Sequence, residues 1–106
     1  METIIITSAN NHPEAEEYSL LDAVITKEDE IYCSLCLELN VASEGETLEE
    51  SKKNLLRVVK DYLELAIENN LPIIRNVPWE DNPLVNGEEI IDKFKIQTNV
   101  NIVEYA

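Results

Sequence analysis

The sequence predicts an α+β domain, a small antiparallel sheet of three to five strands packed on one long helix in the order β-β-β-α-β. Three observations predict it. Apolar and polar residues alternate through 19–27 and again through 31–39, with the polar "EDE" of 28–30 between them. A capping signal at Thr47 then opens a long stretch of helical spacing. A last alternating stretch, "FKIQTNVNIVEYA", closes the chain.

The 106 residues fit one domain, 1–106, with one modest core. Residues 1–18 form an N-terminal extension in which the β-branched "TIIIT" of 3–7 is a candidate edge strand. In 19–27, Leu21, Ala23 and Ile25 alternate with Leu20, Asp22 and Val24. In 31–39, Ile31, Cys33, Leu35, Leu37 and Leu39 share one face, and Tyr32, Ser34, Cys36 and Glu38 the other. This is a half-buried strand, expected to bury its odd-numbered residues and to pair as a hairpin with the strand before it. "NVASE" is a short third strand or its remnant.

The helix is the best-specified element. Thr47 is a natural N-cap and Glu50, three residues on, completes a capping box, while Gly45 permits the turn before it. Glu49 and Glu50 suit the positive end of the helix dipole. Leu48, Leu55, Val59, Tyr62 and Ala66 line one face, with Ser51, Val58 and Leu63 beside them. Lys53, Arg57, Lys60, Asp61, Glu64 and Glu68 fall opposite. Lys52 joins this interleaved charge, which reads as a solvated face. The helix is expected to end near "ENN", before Pro72, after about 30 Å. Residues 71–93 read as a loop with three prolines, and its Trp79 either covers the core edge or, if exposed, is an interface anchor. In the closing strand, 94–105, Ile96, Thr98, Val100 and Ile102 oppose Lys95, Gln97, Asn99 and Asn101.

Charge narrows the function. Eight basic residues against 22 acidic ones leave a net charge of −14. Nucleic-acid binding needs Lys and Arg to displace counterions, so direct binding to DNA or RNA is not expected. A basic protein partner fits better. Residues 14–50 hold twelve acids and only Lys27, either as a solvated surface or as a partner-facing patch. No apolar run approaches the roughly 20 residues of a membrane span. The N-terminus lacks the basic region of a signal peptide, so a cytoplasmic location is expected. The cysteines of "CSLC", Cys33 and Cys36, fall on opposite faces of a strand, which prevents a disulfide or a shared metal. His12 is the only histidine, so no four-ligand zinc set assembles. No catalytic, cofactor-binding or metal-binding residue is assigned, and no cofactor is expected.

The stretch "IYCSLCLELNVASEGETLEESKKNLLRVVKDYLELAIEN" resembles the core domain of HicB antitoxins and of related stand-alone proteins of the UPF0150 type. Cys36, Glu38 and Leu39 match the family's strand end. Ser43, Gly45, Thr47, Glu49 and Glu50 match its turn and cap, and Asn54, Leu55, Tyr62 and Leu63 its helix. The likeness runs from about Leu20 to the closing strand. Leu37 stands where the family usually has Pro, and Ser51 where Ala is common. The family's DNA-binding domain has no counterpart in 71–106, so operator binding is not carried over.

The resemblance implies a partial ribonuclease H-like fold and a protein that binds and masks a small, basic, HicA-like ribonuclease toxin. Asp22, Glu28, Asp29, Glu30, Glu38, Glu44 and Glu46 are the candidate contact set. Two other readings stay open. Two-metal nuclease chemistry needs several carboxylates around ions about 4 Å apart. Asp22 and Glu38 are the pair a remnant nuclease site would use, although the closing strand offers only the late Glu104. A stand-alone homo-oligomeric adaptor would instead use the surplus apolar arc that Leu56, Leu65 and Ile67 add to the helix.

Overall fold

The computed structural model describes residues 2–6, 19–69, 71 and 74–98. Its strands are β1 (Glu2–Ile6), β2 (Ser19–Glu28), β3 (Ile31–Cys36), β4 (Val41–Gly45) and β5 (Asp92–Thr98), with the helix α1 (Leu48–Glu68) between β4 and β5. Thr7, His12, Pro72 and the predicted strand positions 99–105 lie outside the described residues. The strands pair in the order β1-β5-β2-β3-β4. The α+β architecture is the one the sequence predicts. The sheet is mixed rather than purely antiparallel, because β1 adds to β5 in parallel while the other pairs are antiparallel. The expected loop is also more ordered than its prolines suggest. It carries a turn of 3-10 helix at Trp79–Asp81 and a short helix, α2 (Pro83–Asn86), capped by the Asn82 side chain. No helix among the described residues is long and apolar enough to cross a membrane.

Register decides which face is core. Ala23 pairs with Cys36 on one side and with Phe94 on the other, and Leu21 pairs with Ile96. These side chains share the face that α1 covers with Leu55, Val59 and Leu63. The even-numbered residues of β3 therefore lie under the helix, and the expectation that Ile31, Cys33 and Leu35 form the buried stripe is corrected. Polar Ser34 is tolerated at the centre because its hydroxyl donates to the Ser51 carbonyl at 3.1 Å. β3 also ends at Cys36, not Leu39. Leu37 to Asn40 form a turn with Asn40 at a left-handed φ of 52°, and the turn still delivers Leu39 to the core. At the β2–β3 hairpin, Asp29 takes a left-handed φ of 55°, which its short polar side chain tolerates.

The helix is seated by backbone contact. Thr47 Oγ1 accepts from the Glu50 amide at 3.1 Å, as its capping role requires. Gly45 has a different job from the expected one. It does not lie at a positive φ. A Cβ there would meet Ser51 N at 2.5 Å and Glu50 C at 2.9 Å, so the missing side chain is what lets β4 touch the first turn of α1. Ser51, fully buried, is the helix residue at that contact. The Asn54 side chain donates to the Glu44 carbonyl at 2.8 Å one turn on. Lys52 is not part of a solvated face. Its side chain is 12% exposed and reaches across to Glu2 of β1 (2.9 Å) and Asp92 of β5 (2.7 Å).

Two substitutions test this seat. Gly45→Ala is expected to lower stability by about 2–3 kcal/mol, because the clash is with backbone and neither element can rotate away. Ser51 Oγ is buried without a hydrogen-bond partner among the described residues. Ser51→Ala keeps the carbonyl that Ser34 uses and is expected to raise stability by about 1 kcal/mol. Urea midpoints at unchanged slope measure both.

Candidate functional site

The predicted contact residues separate into two groups. The first is built where β2, β5 and the turn after β3 meet, on the face away from α1. Asp22 stands directly opposite Lys95 of β5. The Leu37 amide donates to the Asp22 carbonyl at 2.9 Å, extending the β2–β3 ladder past the end of β3. A proline at this position would forfeit that bond. Glu38 then turns its side chain back, and its Oε1 accepts from the Asp22 amide at 2.8 Å. Lys95 Nζ donates to Asp22 Oδ1.

Glu38 and Asp22 also hydrogen-bond through their carboxyl groups, so they share one proton. Burial first, and then this bond, push Glu38 up to about 7. Burial opposes ionisation of Asp22 too, but the bonds from Glu38 and Lys95 outweigh it and hold Asp22 below the usual carboxylate range. The proton therefore sits on Glu38 and the charge on Asp22, facing Lys95. The group works as a clip. The same turn accepts the next segment, with Arg75 N donating to the Glu38 carbonyl (2.8 Å) and Val77 N to that of Leu37 (2.9 Å). The structure thus brings the candidate nuclease pair together, but its charge is already met by a lysine and a shared proton. Among the described residues no three His, Cys, Asp or Glu side chains are placed to hold a metal ion.

The second group is Glu28, Asp29, Glu30, Glu44 and Glu46, at the β2–β3 hairpin tip and on and after β4. All five are exposed, and none joins an ion pair among the described residues. Glu28 is six steps along β2 from Asp22, about 20 Å, so the seven predicted residues do not form one patch. Glu28 and Glu44 instead share a cleft of about 350 Å³ with Asp81 and Glu88 of the 74–91 segment. Leu35, Ala42 and Pro83 also line it, so the odd-numbered face of β3 is used here rather than in the main core.

Asp81 and Glu88 were beyond sequence reasoning. They lie in the segment read as a loop, and only the crossing of that segment over the sheet brings them beside Glu28 and Glu44. Cys33 lines the same cleft, and burial, then the carboxylates of Glu28, Glu44 and Glu88, push its thiol up. Cys36 faces α1, where burial pushes it up to about 12. Both thiols are free. Trp79 does not cover the core edge. It is 75% exposed, and Leu84 and Val85 nearby in sequence are exposed as well. Leu56 and Ile67 pack against the core, so of the surplus helix stripe Leu65 remains exposed. No family model, no curated protein and no solved structure matches the chain.

The clip has a pH signature. Unfolded Glu38 releases its proton near its ordinary value of 4.5, and folded Glu38 holds it to about 7. The folded state binds more protons in that window, so this group's contribution to stability is full below 4.5 and is lost as pH rises to 7. Glu38→Gln copies the protonated form, accepting from the Asp22 amide and donating to its carboxylate. The variant is expected to match the parent near pH 4.5 and to exceed it at pH 8 by roughly 1–2 kcal/mol after allowance for solvent screening. Urea unfolding at the two pH values reads the difference.

Proposed function

We propose that this chain is a HicB-like, antitoxin-type binding protein of the cytoplasm that masks a small basic ribonuclease toxin. The role is non-catalytic. The observation that carries the reading is the row of exposed carboxylates, Glu28, Asp29, Glu30, Glu44 and Glu46, left without ion-pair partners among the described residues. Such a surface draws a basic protein in by its field. It also competes with RNA for the same cations, since RNA binding rests on phosphate contacts to Lys and Arg. Asp22 and Glu38 drop out of the contact set under this reading, because their charge is used inside the clip. The resemblance in 31–69, and the partial ribonuclease H-like fold it implies, belong to the same reading. A stand-alone homo-oligomeric adaptor is the second reading, and the exposed Trp79 favours it.

The test is a ribonuclease assay on the product of a short, basic open reading frame adjacent to this gene. One equivalent of the present protein is expected to abolish RNA cleavage. A double charge reversal, Glu28→Lys with Glu30→Lys, is expected to slow association about tenfold at low salt and less at high salt. Undiminished cleavage with the protein in excess would refute the antitoxin reading, and a lone chain that light scattering reads as a monomer at micromolar concentration would remove the adaptor reading.

A further inference from the structure

We infer that the cleft between the outer face of β2–β3–β4 and the 81–88 segment seats a basic, partly apolar segment of a protein partner. The inference rests on the binding-protein reading and names where the partner is held. Its walls come from separate parts of the chain. Glu28 and Glu44 stand on the sheet, and Asp81 and Glu88 on the segment that crosses it. None of these carboxylates forms an ion pair among the described residues, and no Lys or Arg lines the cleft.

Between the acids lie Leu35, Ala42 and Pro83. Apolar surface between carboxylates matches the anatomy of Arg and Lys, whose stems rest on apolar groups while their charged heads reach outward. Other occupants fit less well. Phosphate-bearing ligands meet four negative charges. A single metal ion needs donors that converge, and these acids are not so placed. The volume of about 350 Å³ is at the lower end for a ligand site and holds a few side chains, not a folded domain. The partner therefore inserts an exposed stretch of chain. Trp79, next in the chain to the acidic wall and 75% exposed, stands outside as an anchor for the flanking residues.

The probe is an eight-residue peptide alternating Arg and Leu, titrated into the full chain at low salt. Trp79, the only tryptophan, reports binding by its fluorescence, and calorimetry gives the stoichiometry. Saturable one-to-one binding is expected. The double variant Glu44→Gln with Glu88→Gln is expected to weaken it at least tenfold, roughly the loss of a pair of charged contacts. Asp61→Asn with Glu64→Gln removes the same two charges from the exposed side of α1 and is expected to leave binding unchanged. A peptide with Gly in place of Leu is expected to bind several-fold more weakly.

Equal weakening by the two double variants would overturn the proposal, since attraction to the overall charge of −14 would then suffice. Spermidine binding as tightly as the peptide would overturn it too, as would absence of binding. Urea midpoints matching the parent show that the variants are folded. The two readings fail separately. Cleft binding without ribonuclease inhibition sinks the antitoxin role and leaves the site. Full inhibition by the Glu44→Gln, Glu88→Gln variant leaves the role and sinks the site.

Discussion

The rest of the structure hangs on one close approach, the contact of β4 with the first turn of α1 at Gly45 and Ser51. A helix can lie flat on a strand only where side chains do not hold the backbones apart. Gly45 removes the obstacle from the strand, and small, buried Ser51 removes it from the helix. The Ser34–Ser51 and Asn54–Glu44 hydrogen bonds then lock the seat. With α1 placed there, the even-numbered face of β3 becomes core and the odd-numbered face is left for the 74–91 segment. The cleft is a consequence of that choice.

The acidic residues divide by where they sit relative to this frame. Some are absorbed into it. Asp92 and Glu2 hold Lys52, which ties α1 to the far strands of the sheet, and Asp22 takes Lys95 on one side and the Glu38 proton on the other. Lys52 is partly removed from water, which strengthens its pairs, and burial also makes Glu38 keep a proton it would otherwise lose. The hairpin tip and β4 are different. Their carboxylates stay in water and have no cation of their own among the described residues. A chain with few basic residues cannot neutralise every acid, and part of the surplus stands around the cleft.

Resemblance and structure speak to different parts of the same motif. In "ASEGETLEES", Thr47 caps the helix and Glu49 and Glu50 suit its dipole, as any helix start of this kind would. Gly45 and Ser51 are demanded by packing between two elements. The motif therefore records how a helix is seated on a sheet. The acid-lined cleft lies on the other face.

The sequence by itself determined the strands, the helix and its cap, the two alternating faces of each strand and the excess of acid. These are local properties, set by side chains a few residues apart. It also put Leu21, Ala23 and Ile25 on one face of β2, opposite Asp22, and that face is the one α1 covers. β3 was not legible in the same way. Both of its faces are largely apolar, and the buried hydroxyl of Ser34 is satisfied by a helix residue seventeen positions away. Tertiary structure alone decided that choice, together with the parallel addition of β1, the role of Gly45, the proton shared by Asp22 and Glu38, and the meeting of Glu28 and Glu44 with Asp81 and Glu88. Each depends on register and on the path of the chain across the sheet, and neither is written in the spacing of neighbouring residues.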